Sequence, residues 1–376
     1  MLLSDLAVRT FADIAVMASA MPPELVNELG RIEFGRGREE LHRAQAPQVL
    51  ERLAAQTRFE SITASNAIEN VVVAPERALA LVREPAPVLR DRTEREFAGY
   101  KDAMDYLMAK PSEPLDAGLV LHVHRLLMRH IDDPLAGRFK AEDNLIGDRR
   151  PDGSVSVVFR PAPAGRQTEW HITELLDRYE ETLGSGRIHP LVLTAALVLD
   201  LLAIHPFRDG NGRVARLITT NELLRHGYGI ARYISLEQRI FEARNSYYDA
   251  LAAAQRGWHD SAHDIWPWAG FLLRLLADAY EDFEARVVGA RSLQGATKTE
   301  QACDYILNHA PETFSFAQIA AALPDISAPT IRNALNRLRA EGRVSVGRGR
   351  SAQWSRLPAP SPEAPLSVPR VSTLIE

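Results

Sequence analysis

The sequence predicts a mostly α-helical protein with one small β-hairpin and a separately organised C-terminal segment, on three observations. Apolar residues recur near helical spacing in one stretch after another between residues 46 and 288. Strand-forming residues gather in only two places, around Pro151-Asp152-Gly153-Ser154 and after residue 342. A stretch of mostly small residues, 289–296, then separates the long helical region from the C-terminal segment.

Taken in order, residues 46–70 read as one long helix, with Val49, Leu50, Leu53, Phe59 and Ile62 near helical spacing and no Gly or Pro after Pro47. Helical patterns recur at 92–108, 115–130, 167–183, 190–204 and 213–226. Between them, Asn144-Leu145-Ile146 and Val155–Phe159 flank Pro151-Asp152-Gly153-Ser154, whose Pro-Asp-Gly is a turn signal, and together they predict a lone hairpin. Later helices are expected at 236–255 and 265–288. The domain reading is an N-terminal helical region 1–89, a central helical domain 90–288, a linker 289–298, a C-terminal domain 299–357 and a tail 358–376. Five prolines in that tail predict disorder. No internal repeat is present.

Composition narrows the function classes. The chain has 376 residues, with 44 Lys+Arg against 49 Asp+Glu, and a net charge of −5 excludes a generally basic nucleic-acid coat. One cysteine, Cys303, excludes an intramolecular disulfide framework and any multi-Cys zinc site, and reads as a small buried apolar residue. The longest strongly apolar run, 191–204, carries Thr194 and Asp200 and falls short of the about 20 residues a bilayer requires, so no membrane association is expected. Asp5, Arg9 and Asp13 break up the N-terminal apolar stretch, against a secretory signal, and a cytoplasmic protein is expected.

The segment that carries chemistry is His205-Pro206-Phe207-Arg208-Asp209-Gly210-Asn211-Gly212-Arg213-Val214-Ala215-Arg216, directly after the apolar helix and opening the next. Gly210, Asn211 and Gly212 can bring backbone N–H groups close to an anion, and the succeeding helix offers its N-terminal dipole to the same place. Arg213 and Arg216, three apart, can reach one side of that helix and fork onto phosphate oxygens, which suggests a polyphosphate. Asp209 is a hard oxygen ligand suited to Mg²⁺ shared with phosphates. His205 is the one group here that accepts a proton near neutral pH, as activation of an attacking hydroxyl requires. Phe207 alternates with these polar groups and is expected to anchor the loop in the core.

This run resembles the Fic-domain signature, His-x-Phe-x-Asp/Glu-Gly-Asn-Gly-Arg-x-x-Arg, at each defined position. The resemblance extends over roughly residues 90–280, taking in the hairpin before the loop and Tyr247-Tyr248-Asp249-Ala250-Leu251 and Asp264-Ile265-Trp266 after it. It implies an all-helical fold that transfers the AMP moiety of ATP to a hydroxyl side chain of a target protein, a Ser, Thr or Tyr, releasing pyrophosphate. It further implies His205 as general base, Asp209 as Mg²⁺ ligand, Gly210, Asn211 and Gly212 as anion hole, and Arg213 and Arg216 as contacts to the β- and γ-phosphates. Asn211, Arg213 and Arg216 are grouped with the catalytic residues, and Phe207 with those that hold the nucleotide. The family also contains phosphate- and phosphocholine-transferring members. Its kinase-like branch has Lys in place of the second Gly, where this chain has Gly212, which favours attack at the α-phosphorus.

Ser65-Asn66-Ala67-Ile68-Glu69-Asn70, at the end of the first long helix, is similar to the family's inhibitory motif, Ser/Thr-x-x-x-Glu-Gly/Asn. Ser65 and Glu69 are i and i+4 on one helix face, so Ser65 can help orient the carboxylate, and Asn70 suits a helix end. The resemblance implies that Glu69 pairs with Arg216 and denies it to the γ-phosphate. The segment 149–163 resembles the family's flap, a hairpin that holds a target segment by strand addition. His122, His124 and His130 do not make a metal cluster, because His122 and His124 diverge on a helix, and Trp258, Trp266 and Trp268 read as packing residues.

At the C-terminus, 299–309, 315–323 and 327–341 read as three short helices, then a strand pair that ends near Trp354, and the whole resembles a winged helix-turn-helix. Ile331, Leu335 and Leu338 would form its buried stripe, with Arg332, Asn336 and Arg339 facing outward. Residues 327–357 hold seven Arg and one Glu, which favours phosphate backbones and hence DNA, although the same fold serves protein contacts and a homodimer. The leading expectation is a self-inhibited adenylyltransferase using ATP and Mg²⁺. The alternatives are a nucleotide-sensing DNA-binding regulator and an enzyme that chiefly removes AMP, with Glu69 placing a water.

Overall fold

The computed structural model describes residues 9–12, 14–109, 114–149, 155–292, 296–347 and 353–357. Contacts group the chain into a larger unit, Met1–Gln294 with Ala321–Pro324, and a smaller one, Gly295–Ala320 with Asp325–Glu376.

The larger unit is built from α1 (Arg9–Ala12), α2 (Ile14–Ser19), α3 (Pro23–Gln45), α4 (Pro47–Ile68), α5 (Pro75–Arg83), α6 (Arg92–Ala109) and α7 (Ala117–Leu127). The hairpin β1 (Ile146–Arg149) and β2 (Val155–Phe159) comes next, then α8 (Arg166–Gly184), α9 (Pro190–Ile204), α10 (Asn211–Arg225), α11 (Leu236–Glu242), α12 (Arg244–Gln255) and α13 (Trp266–Ser292). A helix that is apolar all round belongs in the middle of a core. α9 is such a helix: each residue from Leu191 to Ile204 is buried, with α8, α10, α12 and α13 packed against it. Asp200, the charge inside that run, is fully buried and accepts hydrogen bonds from the Thr10 amide at 3.2 Å and the Trp258 indole at 2.7 Å. Trp268 is likewise buried and donates to the Ala195 carbonyl at 3.0 Å, so both rings pack as expected and also satisfy polar atoms of α9.

Helix α3 is not legible in the sequence, since few of its residues are apolar and only Leu25 and Ile32 among them are buried. It is held by α13, far along the chain. Arg31 pairs with Asp278 at 2.9 Å and Glu281 at 2.8 Å, and a Cβ on Gly35 would lie 2.6 Å from the Tyr280 side chain, so the close approach of the two helices requires glycine there. The single helix expected over 236–255 breaks at Ala243, because α11 packs on α4 while α12 packs on α13. α13 runs to Ser292, four residues beyond the expected Val288.

The hairpin strands are antiparallel, with Gly147 opposite Val157 and an irregularity between Ile146 and Gly147. The first strand lies later than the expected 144–146, because the Asn144 side chain is drawn away to bond Lys140 and the Phe207 carbonyl. The expected turn Pro151–Ser154 lies outside the described residues, as does the tail 358–376.

The smaller unit carries α14 (Lys298–Asn308), β3 (Thr313–Phe314), α15 (Phe316–Ala322) as far as Ala320, α16 (Ala328–Ala340), β4 (Val344–Val346) and β5 (Trp354–Arg356), with the three strands antiparallel in the order β3-β5-β4. Thr297 and Glu300 form a reciprocal capping box at the start of α14. Ile331, Leu335 and Leu338 are buried as the periodicity predicts, while Arg332, Asn336 and Arg339 are exposed. Cys303 is buried, with its thiol pushed upward in pKa by burial. Among the described residues, no helix is long and apolar enough to cross a membrane.

Candidate functional site

α9 ends at His205, which takes a left-handed conformation with φ 52° and turns the chain out of the core. The loop then runs to Gly210, with φ 81°, from which α10 starts. That left-handed backbone conformation selects glycine. Asn211 staples the loop: its Oδ1 accepts the Phe207 amide at 2.9 Å, and its Nδ2 donates to the Phe207 carbonyl at 2.7 Å. The Asn211 side chain is therefore spent on the loop, and only its backbone N–H is left to face an anion. Phe207 is fully buried and stacks on the His124 ring at a centroid distance of 3.8 Å. Its expected place in the core is observed. Its ring has no exposed surface.

Beneath the loop lie His124, which the sequence only set aside as a metal ligand, and Lys140, which it did not single out. His124 accepts the Gly137 amide on Nδ1 at 3.0 Å, which leaves Nε2–H to donate to the Asp209 carbonyl at 3.3 Å and fixes the tautomer. Burial lowers its pKa to about 4, so the ring is neutral. The three histidines lie apart: His122 contacts Tyr106, and His130 bonds Asp102 at 2.9 Å. No group of three or more potential metal ligands occurs among the described residues. Lys140 is buried and its ammonium donates to the carbonyls of Ala162 at 2.7 Å and Ile204 at 3.0 Å and to Asn144 Oδ1 at 2.9 Å. It thereby caps the C-terminal end of α9 beside His205, at a pKa lowered to about 8 by burial.

His205 is partly buried, with Nδ1 3.3 Å from the Leu202 carbonyl. Donation from Nδ1 leaves the Nε2 lone pair free to take a proton. Burial, aided by the nearby Lys140 charge, lowers its pKa to about 4, so the imidazole is neutral at pH 7. The Asp209 side chain is 53% exposed, accepts the Gly210 amide on Oδ1 at 2.6 Å and stands 3.8 Å from Arg213. A single exposed carboxylate beside a helix N-terminus is a donor that suits Mg²⁺ shared with phosphates.

The N-cap residue of α10, Gly210, has no side chain to cap the helix, so its first amides can meet an incoming acceptor. Glu69 stands beside that place. A Cβ on Gly212 would lie 2.5 Å from Glu69 Oε1, which puts the carboxylate directly over the helix start. α4 ends in a Schellman arrangement: Val71 N–H bonds the Asn66 carbonyl at 2.9 Å, Asn70 N–H bonds Ala67 at 3.0 Å, and Asn70 adopts φ 60°. Asn70 thus supplies the left-handed residue that stops α4 at the point where Glu69 meets α10.

The two arginines are both buried and engaged. Arg216 donates from Nη2 to Glu69 Oε1 at 2.9 Å and to the Ser65 carbonyl at 3.0 Å, and from Nε to Ser65 Oγ at 2.9 Å. The expected Glu69–Arg216 pairing is present. Ser65, expected to orient the carboxylate, holds the arginine instead, because both residues of the i, i+4 pair face α10 rather than each other. Arg213 donates to Glu96 Oε2 of α6 at 3.0 Å, and its Nε is buried with no hydrogen-bond partner. Glu96 carried no signal in the sequence, since its partner lies 117 residues away.

The structure thus brings His205, Asp209, Gly210, Asn211, Gly212, Arg213, Arg216, Ser65, Glu69 and Asn70 into one region around the start of α10. The Fic/DOC family model matches residues 114–223. The protein adenylyltransferase Fic of Nematostella vectensis is 28% identical over 234 residues, covering 60% of this chain and 48% of that protein. That of Drosophila yakuba is 28% identical over 230 residues, covering 59% of this chain and 41% of that protein. The chain therefore spans less than half the length of these curated relatives. A crystal structure of a Fic family protein from Desulfovibrio desulfuricans G20 is 25% identical, covers 91% of this chain and 98% of its own, and superposes with a TM-score of 0.59. A Fic domain containing signaling protein from Bacteroides thetaiotaomicron VPI-5482 has the same fold, at 21% identity and a TM-score of 0.57 over 69% of this chain.

Proposed function

We propose that this Fic-family protein is a self-inhibited adenylyltransferase that moves the AMP moiety of ATP onto a Ser, Thr or Tyr hydroxyl of a target protein, in the cytoplasm. The observation that carries the reading is the arrangement around α10: a neutral imidazole with a free Nε2, an exposed carboxylate and an uncapped helix N-terminus share one stapled loop. In the reaction, the target oxygen bonds to the α-phosphorus, its proton passes to His205 Nε2, and the bond to pyrophosphate breaks. Asp209 would hold Mg²⁺, which when bound neutralises phosphate charge. The amides at the start of α10 and the guanidinium groups of Arg213 and Arg216 would receive the β- and γ-phosphates. Glu69 competes for the same place as the γ-phosphate, which is the proposed brake. The hairpin supports the reading as a platform for an extended target segment, its Val157 and Val158 being exposed. Incubation with α-labelled and γ-labelled ATP, Mg²⁺ and lysate tests the function. Transfer of the α-label with the mass of AMP is expected, and transfer of the γ-label instead would identify a kinase.

His124 is assigned a positioning role. His124→Leu keeps an apolar filler but loses the hydrogen bond to the Asp209 carbonyl, and transfer is expected to fall about 10- to 100-fold, as displaced catalytic groups commonly cost. Steady-state rates together with thermal unfolding check this, and an unchanged rate removes the role.

A second reading concerns the smaller unit, which we propose to be a winged helix that contacts DNA. It is favoured by the exposure of Arg332 and Arg339 on α16 and the excess of arginine over 327–357. DNA retention by the full chain should weaken with salt and fall further in Arg332→Ala, Arg339→Ala. No retention at low salt in a gel-shift leaves this unit a protein-interaction module.

A further inference from the structure

The larger unit contains a cavity of about 400 Å³ bounded by α3, α4, α6 and Arg232–Tyr233, away from the loop that carries His205. Its volume lies in the range of about 300–1,000 Å³ that small-molecule sites occupy. Leu50 and Met104, both buried, and Met108 give it an apolar floor. Three arginines reach it, but two are already answered. Arg58 forks onto Asp105 at 2.6 and 2.7 Å, and Arg43 donates to Glu39 at 2.7 Å. Arg232 differs: its guanidinium bonds only the carbonyl of Met108, at 3.1 Å, and the Met108 sulfur, and it makes no ion pair among the described residues. Thr57 is the independent sign of a ligand. It lines the cavity, is 1% exposed, and its hydroxyl has no hydrogen-bond partner.

We propose that this cavity binds a small amphipathic monoanion, with an apolar body on Leu50, Met104 and Met108, its charged group on Arg232 and a polar atom against Thr57. One arginine without an ion pair among the described residues, with Glu51 also at the lining, suits a single negative charge and disfavours a polyphosphate. The cavity wall is α4, the helix that also carries Ser65 and Glu69. An effect of occupancy on the brake would rest on the proposed function, whereas occupancy itself does not.

Calorimetric titration of the full chain with sodium decanoate, a ten-carbon carboxylate, tests the site. Saturable binding at one equivalent is expected. Arg232→Met should weaken it about tenfold or more, since an unscreened ionic hydrogen bond is lost. Ala54→Phe, which projects a ring into the cavity, should abolish it, and decyltrimethylammonium, with the same tail and the opposite charge, should bind about tenfold more weakly or not at all. Thermal unfolding confirms that each variant is folded, and Arg232→Met serves alone if Ala54→Phe is not. No saturable binding at millimolar decanoate, or equal affinity for wild type and the folded variants, overturns the proposal.

Discussion

Glu69→Gly is expected to raise AMP transfer about 10- to 100-fold, because it frees Arg216 for an ionic hydrogen bond to the γ-phosphate that contributes about 1.5–3 kcal/mol. In the resting protein that guanidinium is buried and divided between Glu69 at 2.9 Å and Ser65 at 2.9 and 3.0 Å. The variant removes one acceptor and leaves the two on Ser65, so the arginine stays close to its present place. Stability should move the other way. Glu69 is the residue just past the last turn of α4, with φ −93° and ψ 18°, where glycine is tolerated, so the loss comes from leaving the Arg216 charge without its carboxylate. With Glu69 about one third exposed, that loss is about 1–2 kcal/mol, less than for a fully buried pair. A rate that rises while the melting temperature falls separates a brake from a scaffold, which would lower both. Glu69→Gly with Arg216→Ala should be inactive, since the phosphate contact goes with the brake. Labelled-AMP transfer and thermal unfolding on the same preparations decide it, and an unchanged or reduced rate for Glu69→Gly ends the self-inhibition reading. If the protein chiefly removes AMP, Glu69→Gly abolishes that removal instead.

His205→Ala should reduce transfer about 10²–10⁴-fold, the usual contribution of a general base, with ATP binding nearly intact because the imidazole acts on the incoming hydroxyl. The pH profile carries a second, sharper expectation. The neutral ring is the active form, and its pKa is lowered to about 4 by burial, so activity governed by His205 is lost only as pH falls through that value. kcat/KM, which reports the free enzyme, should therefore be flat between about pH 5.5 and 7.5, where an unperturbed histidine would cut it several-fold. An acid limb centred near 6.5 would show that the burial of His205 does not persist in solution. Near-wild-type transfer by His205→Ala would remove the base assignment itself.

What the sequence by itself determined was what local chemistry can carry. The twelve residues from His205 to Arg216 hold their own logic, because loop, glycines, helix start and arginines are neighbours along the chain. The apolar run 191–204 marked a helix too short for a bilayer, and the i, i+4 spacing of Ser65 and Glu69 put both on one face. The tertiary structure decided everything that depends on distant partners. α3 is a helix because α13 supplies acids for Arg31 and a ring for Gly35 to pack on, and no periodicity within residues 23–45 could reveal that. Ser65 binds Arg216 rather than Glu69, Arg213 is held by Glu96, and Asn211 spends its amide on Phe207. His124, set aside in the sequence as a metal ligand, and Lys140, not singled out there, gain their roles from burial beneath the loop, which fixes the tautomer of the one and places the charge of the other beside His205. Side-chain type and spacing state which chemistry is available. Desolvation and the donors and acceptors that converge from separate helices decide which atoms remain free to perform it.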